Sequence, residues 1–400
     1  MRRLLLFFAA CGATLIQPGS LSAADASLRL TVAAGEHDRV NTPVTVSVDA
    51  PHGAKSAVLT TPDGSEIAGQ LTAAGLNSDA PDGKSELHFI LPGLQKGQSI
   101  ELVARFSADP PAQGFAWREE PDEFAELSYD GRPLMRYMCL KLTDETREDA
   151  FKVYHHLYDP AGTRLVTKGP GSKYTHHRGL FFGYCHVTHE GGKADTWSGR
   201  NTPQTHAGYL AREAGPVLGR HCVAVDWRGA DGEPYLKEQR ELAAYHVPGG
   251  TLVEFCSRSA TTGGPVKLDG NAPHAGFQFR AAAEVAEETE KETYYLRPDG
   301  RDEPGKAVAS AFDLPWDAIS FVVDGRRYTV VYLDRPDNPK PAEYNERTYG
   351  RFGSFFRYDL EEGKDLRIRY RIWLQEGEMT VDEAAGLYRD FVDPPTVTVK

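Results

Sequence analysis

Histidines, which can act as acids, bases or metal ligands, are concentrated in one part of this chain. Ten of the thirteen lie between His155 and His274, in less than a third of the 400-residue sequence. Some of these side chains are expected to be ordinary core or surface residues. The crowding nevertheless predicts a chemical site within this segment.

The densest part of the segment carries His176, His177, Arg178 and His186. If Arg178 to His186 formed one strand, His177 and His186 would lie roughly 30 Å apart and could share a metal ion only if the chain turned at a glycine. We therefore predict no cofactor, with a divalent metal as the less favoured alternative. The three histidines are candidate catalytic acids or bases, and Arg178 is a candidate for binding an anion or a polarised hydroxyl of the substrate.

Four further residues are candidates. Trp197 lies in a polar loop, where its ring could stack on a sugar or equally fill the core. His206 and His274 each precede a glycine-containing step into a predicted strand, and sites often form at such sheet rims. Glu238 is the candidate carboxylate base that would act with a histidine acid. It does not form a glycosidase pair with Glu241, because a separation of three residues puts the two on opposite faces of a strand.

Several common classes are excluded by the sequence. It contains no GxSxG elbow, no P-loop, no GxGxxG and no HExxH motif. The formal net charge is −12, and loss of Arg2 and Arg3 with a leader would make it −12 − 2 = −14. Such an acidic chain is not expected to bind nucleic acid or an anionic membrane. The histidine crowding, Arg178 and Trp197 favour a carbohydrate or another small molecule as the partner.

The first residues are typical of a secretory signal peptide, with positive charges at Arg2 and Arg3 and an apolar run from Leu4 to Ala10. Cleavage is expected near Ala23 or Ala24, which predicts a periplasmic or extracellular protein with a signal peptide over residues 1–24. Lipid attachment at Cys11 is the less favoured alternative. No later segment is long and apolar enough to predict a transmembrane helix.

Four cysteines follow the leader, and an oxidising compartment permits disulfides among them without defining the pairing. Four buried free thiols are the alternative to one or more bridges. These cysteines are Cys139, Cys185, Cys222 and Cys256.

Short runs of alternating apolar and polar residues predict an all-β protein of two domains. Residues 25–108 are expected to form a small immunoglobulin-like or fibronectin-like β-sandwich, and Asp109-Pro110-Pro111 a stiff linker. Residues 115–400 are expected to form a larger antiparallel β-sandwich. Within it, Asp324-Gly325 predicts a hairpin, and Thr380 with Glu383 predicts a capped helix near the end.

Three blocks of the larger domain resemble the PmoA-like family of secreted bacterial proteins, whose domain has no known function. They are His176 to Phe181, Leu333 to Pro339 and Arg347 to Phe356, and the resemblance covers roughly residues 120 to 395. It implies a sandwich similar to the galactose-mutarotase supersandwiches and a role in sugar metabolism. A mutarotase-like mechanism would pair a histidine acid with a carboxylate base, for which Glu238 is the candidate. Arg347, in the third block, becomes a further candidate for substrate binding. Methane monooxygenase activity, which the family name suggests, is not expected of a chain without a membrane-spanning helix.

Two functions remain open from the sequence. The first is an enzyme that acts on glycans or sugar derivatives, as a hydrolase, lyase or epimerase with histidine acid–base chemistry. The second is a non-catalytic glycan-binding module. The sequence does not determine the oligomeric state.

Overall fold

A computed structural model describes residues 27–76, 78–109 and 114–400. The predicted signal peptide and Cys11 lie outside the described residues, as do Pro110 and Pro111 of the predicted linker. Strands account for about 54% of the chain and helices for about 7%, so the predicted all-β class is confirmed. Within the described ranges, no helix is both long and apolar enough to cross a bilayer.

The strands, numbered in chain order, are β1 Ser27–Ala33, β2 Arg39–Val48, β3 Ser56–Thr60, β4 Glu66–Thr72, β5 Ser85–Leu94, β6 Ser99–Ser107, β7 Phe115–Glu120, β8 Phe124–Tyr129, β9 Arg132–Met138, β10 Tyr154–Leu157, β11 Leu180–Tyr184, β12 His186–His189, β13 Gly192–Ala194, β14 Gln204–Ala214, β15 Leu218–Arg228, β16 Pro234–Val247, β17 Gly250–Thr261, β18 Val266–Asp269, β19 Ala275–Arg280, β20 Tyr294–Arg297, β21 Gly300–Arg301, β22 Ala311–Phe312, β23 Trp316–Val323, β24 Arg326–Asp334, β25 Glu343–Arg347, β26 Arg351–Phe355, β27 Tyr358–Leu360, β28 Asp365–Glu376 and β29 Thr396–Val399. The helices are α1 Arg147–Ala150, α2 Ala283–Glu287 and α3 Val381–Val392, with 3-10 turns at Ala272–His274 and Glu290–Glu292.

The N-terminal module is one antiparallel sheet in the order β2-β5-β4-β3-β6-β1-β29, with an apolar core of its own. Its last strand comes from the other end of the chain, because β29 pairs with β1 from Leu30↔Val399 to Ala33↔Thr396. The structure therefore differs from the predicted partition at one end. Residues 396–399 belong to the N-terminal sheet and not to the domain predicted over 115–400.

The larger domain is an antiparallel sandwich of two nine-stranded sheets. The front sheet has the order β22-β25-β26-β19-β11-β10-β9-β8-β7, and the back sheet β14-β15-β16-β17-β28-β24-β23-β20-β21. Aromatic side chains of the two sheets meet between them: Phe277 of β19 stacks on Phe255 of β17 with ring centroids 4.1 Å apart. A smaller sheet, β13-β12-β18-β27, lies at one end.

The two outer faces of the sandwich differ. On the back sheet, α3 and part of the N-terminal module cover an apolar cluster that includes Trp373 and Phe391. The outer face of the front sheet carries polar side chains instead, and the candidate site lies there. The predicted hairpin at Asp324-Gly325 joins β23 to β24, and the predicted capping box of Thr380 and Glu383 begins α3.

No disulfide joins the four described cysteines, so the structure agrees with the alternative in which they are not bridged. Cys139, Cys222 and Cys256 are buried, and Cys185 is half-buried.

Candidate functional site

Four adjacent strands of the front sheet form the floor of the site. Along β11, β19, β26 and β25, large apolar side chains such as Phe182 and Phe279 point into the core. The alternate residues point outward, because side chains of a strand alternate between its two faces. The pairing aligns Arg280, Arg351 and Arg347 across β19, β26 and β25 on this outward face.

Three imidazoles and an indole gather at the end of this floor. His177 lies with its ring centroid 4.4 Å from that of His176 and 6.0 Å from that of Trp197. His274, in the turn before β19, lies 6.5 Å from His176 and 6.1 Å from Trp197. Three segments far apart in sequence therefore converge, and their burial grades from the exposed His274 to the buried His177 and Trp197.

Hydrogen bonds to the backbone hold these segments in place. The buried Lys152 ammonium donates to the carbonyl oxygen of His176 at 3.0 Å and also to that of Trp197. His274 is fixed by an Nδ1 contact of 2.9 Å with Oδ1 of Asn271. The imidazole positions are therefore set by contacts that leave the Nδ1 atom of His177 without a partner among the described residues.

Two tyrosine rings cover the inner part of the site. Tyr174 stacks on His177 at 5.2 Å and lies 4.7 Å from Tyr349. Tyr174 has a φ of 58° and Ser172 also has a φ of 58°, a backbone region that non-glycine residues rarely adopt. The loop is anchored at its side by Ser172, whose hydroxyl donates to a carboxylate oxygen of Glu287.

Burial, reinforced by nearby positive charges, lowers the pKa values of the three imidazoles and keeps them neutral near pH 7. Burial, reinforced by the Lys152 charge, lowers the pKa of His176 to about 4. Burial lowers the pKa of His177 further, with contributions from Arg351, His176 and Arg280. The pKa of His274 is also lowered, by partial burial and by Arg351. A neutral imidazole has an unprotonated ring nitrogen that can accept a proton. The lowered pKa makes it a weaker base than a solvent-exposed histidine, so a nearby negative charge on a ligand would strengthen it.

One carboxylate acts on the site at longer range. Asp195 opposes the lowering of the pKa of both His176 and His274. Its Oδ1 atom accepts the backbone N–H of Ser198 at 2.8 Å, which holds it at the start of the Trp197 loop.

The structure brings together most of the residues predicted from the sequence. His176, His177, Trp197, His274 and Arg347 surround the floor described above. Arg178 lies beneath it, donating to the carbonyl oxygens of His177 and Glu148 at 3.2 and 3.1 Å. Trp197 is 3% exposed and packs against Phe181, so it is a wall of the site and not an exposed stacking platform.

His186 is adjacent to the site and exposed. The strand that would have carried it far from Arg178 is interrupted, because β11 ends at Tyr184 and β12 begins at His186. Its charge lowers the pKa of His274, which places it within electrostatic reach of the rim.

His206 and Glu238 do not join this group. His206 contacts Tyr137 at 3.2 Å and belongs to a second cluster of rings around the buried His155 and His221. Glu238 is 1% exposed, and its carboxylate accepts the Trp227 indole N–H and the Arg240 guanidinium, both at 2.8 Å. This ion pair leaves Glu238 in the core, where it cannot act as the base proposed from the sequence.

Sequence reasoning missed the floor and the cover: Lys152, Tyr174, Arg280, Tyr349 and Arg351. One signal was available for the two arginines. Arg280 ends the strand that carries Phe277 and Phe279, and Arg351 precedes Phe352, so each stands beside residues that clearly belong to a core. Arginine in that setting indicates a charge held at a sheet face for a reason other than solvation.

Across residues 27–76, 78–109 and 114–400, no group of three or more histidine, cysteine or acidic side chains has the arrangement of a metal site.

Comparison with known proteins identifies one family and a set of solved structures that includes two distant ones. The model of DUF6807, a family of unknown function, matches residues 125–389. A search of curated proteins finds no match. Among solved structures, a protein in glycosyl hydrolase family 38 from Enterococcus faecalis is similar at 8% identity and a TM-score of 0.47, over 94% of this chain and 48% of that one. The galactosidase domain of the alpha-galactosidase-sucrose kinase AgaSK is similar at 10% identity and a TM-score of 0.37, over 66% of this chain and 42% of that one. This chain therefore spans about half, or less, of the solved chains that it resembles.

Proposed function

Because the chain belongs to DUF6807, a family of unknown function, we propose a function from the site itself: acid–base catalysis on a carbohydrate by His176, His177 and His274. The export of the chain predicted from its first residues is part of this proposal. So is the role in sugar metabolism that the resemblance to PmoA-like proteins implies.

The observation that carries the proposal is the state of His177. Its ring is 4% exposed, its pKa is strongly lowered by burial and by neighbouring cations, and its Nδ1 atom has no partner among the described residues. A buried ring nitrogen without a hydrogen bond is costly for folding, so it calls for an explanation, and a ligand that bonds to it is one. The Nδ1 atoms of His155 and His221 in the second cluster also lack a partner in the described chain, but of these three only that of His177 lies beside the exposed rim formed by His274.

A proton donor lies beside this base. The Tyr349 hydroxyl receives a hydrogen bond from Nε of Arg351 at 3.3 Å. Since that bond occupies a lone pair of the oxygen, the hydroxyl hydrogen is free to point towards a ligand. The Tyr349 ring, which stacks on His177 with centroids 6.0 Å apart, adds a flat apolar surface that suits the apolar face of a sugar ring.

Proton abstraction fits these groups better than glycoside hydrolysis does. Hydrolysis of a glycoside usually needs two carboxyl groups facing the same bond. Among the described residues, Asp195 is the acidic residue whose charge acts on the pKa of both His176 and His274, and no second carboxylate is among the main contributors. Within the sequence-based alternatives of hydrolase, lyase and epimerase, the site therefore favours the last two.

The test is a panel of neutral and acidic polysaccharides incubated with the purified protein, followed by assays for reducing ends and for unsaturated products. We expect turnover of at least one polymer and its loss in His177→Gln, with His52→Gln, a change at an exposed histidine of the N-terminal module, as the control. Binding of a glycan without turnover would favour the binding-module alternative and contradict the enzymatic proposal.

A further inference from the structure

Five arginine side chains of the described protein are almost fully buried, and they divide into two groups. Arg39 and Arg240 each form an ion pair with a carboxylate, Arg39 with Asp390 and Arg240 with Glu238, both at 2.8 Å. The other three are Arg178, Arg280 and Arg351, and none of them forms an ion pair with a described carboxylate. All three lie at the candidate site.

Arg280 and Arg351 are direct cross-strand neighbours on the floor of the site. Like charges in that relationship repel each other. Arg351 also pairs with Arg347 on its other side, so the three form a cationic row across β19, β26 and β25. Burying such charges without a counter-ion is costly, which indicates that folding stability alone does not explain the row.

The partners of the two buried guanidinium groups are neutral oxygens. Arg351 donates to Oε1 of Gln278 at 3.0 Å and to the amide oxygen of Asn345. Arg280 donates through Nη1 to the carbonyl oxygens of Ala281 and Tyr349. Its Nε and Nη2 atoms are buried and have no partner among the described residues. Those two N–H groups lie on one edge of the guanidinium fork, the arrangement that binds an anion through two parallel hydrogen bonds.

Resting on the proposed function, we propose that this row binds the carboxylate of a uronic-acid residue in an acidic polysaccharide, and that the protein cleaves this polymer by β-elimination. Arg280 and Arg351 hold the carboxylate beneath Tyr349, and Arg347 holds it at the rim. The charges of Arg280 and Arg351 already act on His177, so the bound carboxylate lies near that imidazole.

The chemistry follows from this arrangement. Pairing the carboxylate with arginine stabilises the negative charge that develops when the neighbouring C5–H bond breaks. Nδ1 of His177 takes the C5 proton, the C5–H electrons form the C4=C5 double bond, and the C4–O bond breaks. The leaving oxygen takes the hydroxyl proton of Tyr349. The histidine later releases its proton and the tyrosine regains one from water, so no other reactant is needed.

Access to the row requires the Tyr174 ring to move. Tyr174 is 46% exposed, whereas Arg280 and Arg351 beneath it are each 1% exposed. The positive φ values of Ser172 and Tyr174 mean that the closed loop is held against its own backbone preference, which lowers the cost of opening. A ligand ring would take the place of the Tyr174 ring against His177 and Tyr349.

The test uses three uronate polymers: polygalacturonate, glucuronan and alginate. Each is compared with its carboxyl-reduced, uncharged form and with a sulfated glucan, which is anionic but has no carboxylate. We expect the absorbance of the unsaturated product to increase with at least one uronate polymer and with neither of the other two. Arg351→Lys and Arg280→Met should lower kcat/KM by about 100-fold or more, as expected for groups that stabilise developing charge. Arg105→Met, at an exposed arginine of the N-terminal module, is the control.

Thermal unfolding separates a binding role from a structural one. A uronate oligosaccharide should raise the Tm of the wild-type protein and of R105M but not that of R280M. Without the ligand, R280M should unfold within a few degrees of the wild-type protein, because the loss of the hydrogen bonds to Ala281 and Tyr349 is offset by the removal of an uncompensated buried charge. A Tm of R280M well below that of the wild-type protein, with the uronate shift retained, would assign the row to structure and overturn the inference.

The two proposals fail differently. Turnover of a carboxyl-reduced polymer that is lost in H177Q would support the proposed function and overturn the uronate assignment. Turnover of the sulfated glucan alone would support an anion-binding site but contradict the proposal that its ligand is a carboxylate. A uronate shift in Tm that depends on Arg280, without turnover of any polymer, would support carboxylate binding and contradict catalysis.

Discussion

Lys152 and His176 are joined by a hydrogen bond of 3.0 Å from the buried lysine ammonium to the histidine carbonyl oxygen, and the same ammonium also donates to the carbonyl oxygen of Trp197. The lysine therefore ties together two loops that are 21 residues apart along the chain, counting from 176 to 197. Its ammonium also lies 3.9 Å from the centre of the Phe181 ring. One side chain thus sets the distance between the imidazoles and the indole wall of the site.

Replacing this lysine should affect catalysis more than stability. In Lys152→Met, two carbonyl oxygens lose their donor, which costs about 1–3 kcal/mol, but the cost of burying an ammonium disappears as well. The loops should shift, and a misplacement of about 1 Å can lower activity roughly 100-fold. We expect kcat/KM to fall at least 10-fold (about 1.4 kcal/mol) with a change in Tm of only a few degrees. Lys193→Met, at an exposed position of β13, is the control, and equal activity of the two variants would contradict this role.

The pH dependence of the reaction should differ from that of an ordinary histidine enzyme. An unperturbed histidine has a pKa of about 6.5, so a histidine base normally loses activity below that pH. Here burial lowers the pKa of His176 to about 4 and that of His177 further. Activity should therefore persist at about pH 5 and fall only in more acidic buffer. A kcat/KM profile with its acidic limb near 6.5 would show that neither of these two histidines is the base.

Local features of the fold could be predicted from the sequence, and the site could be predicted only in part. The capping box of Thr380 and Glu383 and the hairpin at Asp324-Gly325 depend on residues that are neighbours in the chain, and both are observed. The position of Tyr349 over His177 depends on the order of strands in the front sheet, which local patterns do not encode.

The nomination of Glu238 failed for a reason that the sequence contained. Glu238 and Arg240 are two residues apart on one strand, so their side chains share a face, and the structure pairs them in the core. The alternation of side chains along a strand shows that Glu238 and Arg240 share a face, but it does not show whether that face is buried. The other residues of that face include Leu236, Leu242 and Ala244, which are core residues. A charge pair at a separation of two on an otherwise apolar strand face is better interpreted as a buried ion pair than as a free base.

Stability should depend on pH through the interface between the N-terminal module and the back sheet. A cavity of about 390 Å³ lies there, and Glu241, which is 9% exposed, is among its lining residues. Burial raises the pKa of Glu241 from 4.5 to about 7, against the opposing attraction of Arg220, and the charges of Glu86 and Glu213 add to the increase. A carboxyl whose pKa is higher in the folded state binds protons preferentially there, so stability is lost as the pH rises from about 4.5 through 7.

Glu241→Gln should remove this dependence. A change of one pKa unit corresponds to about 1.4 kcal/mol. The free energy of unfolding of the variant should therefore increase by roughly 3 kcal/mol relative to that of the wild-type protein as the pH rises from about 4.5 to 8. The measurement is the free energy of unfolding by urea across that range. Parallel curves for the two proteins would show that Arg220 keeps Glu241 ionised at every pH tested. Glu66→Gln, at an exposed carboxylate of β4, is the control.

The two parts of the chain should also be coupled through Gln70. Its side chain is 3% exposed, and its Oε1 atom accepts the backbone N–H groups of Val217 at 3.1 Å and Leu218 at 3.0 Å. In Gln70→Ala both buried donors lose their acceptor, and an orphaned buried group costs about 1–3 kcal/mol. We expect a loss of about 2 kcal/mol or more in the free energy of unfolding, with Gln95→Ala at an exposed turn as the control. If the module and the sandwich unfold independently, Gln70→Ala should instead leave the transition of the sandwich unchanged. A single cooperative transition that shifts as a whole would show that the N-terminal module and the larger domain fold as one unit.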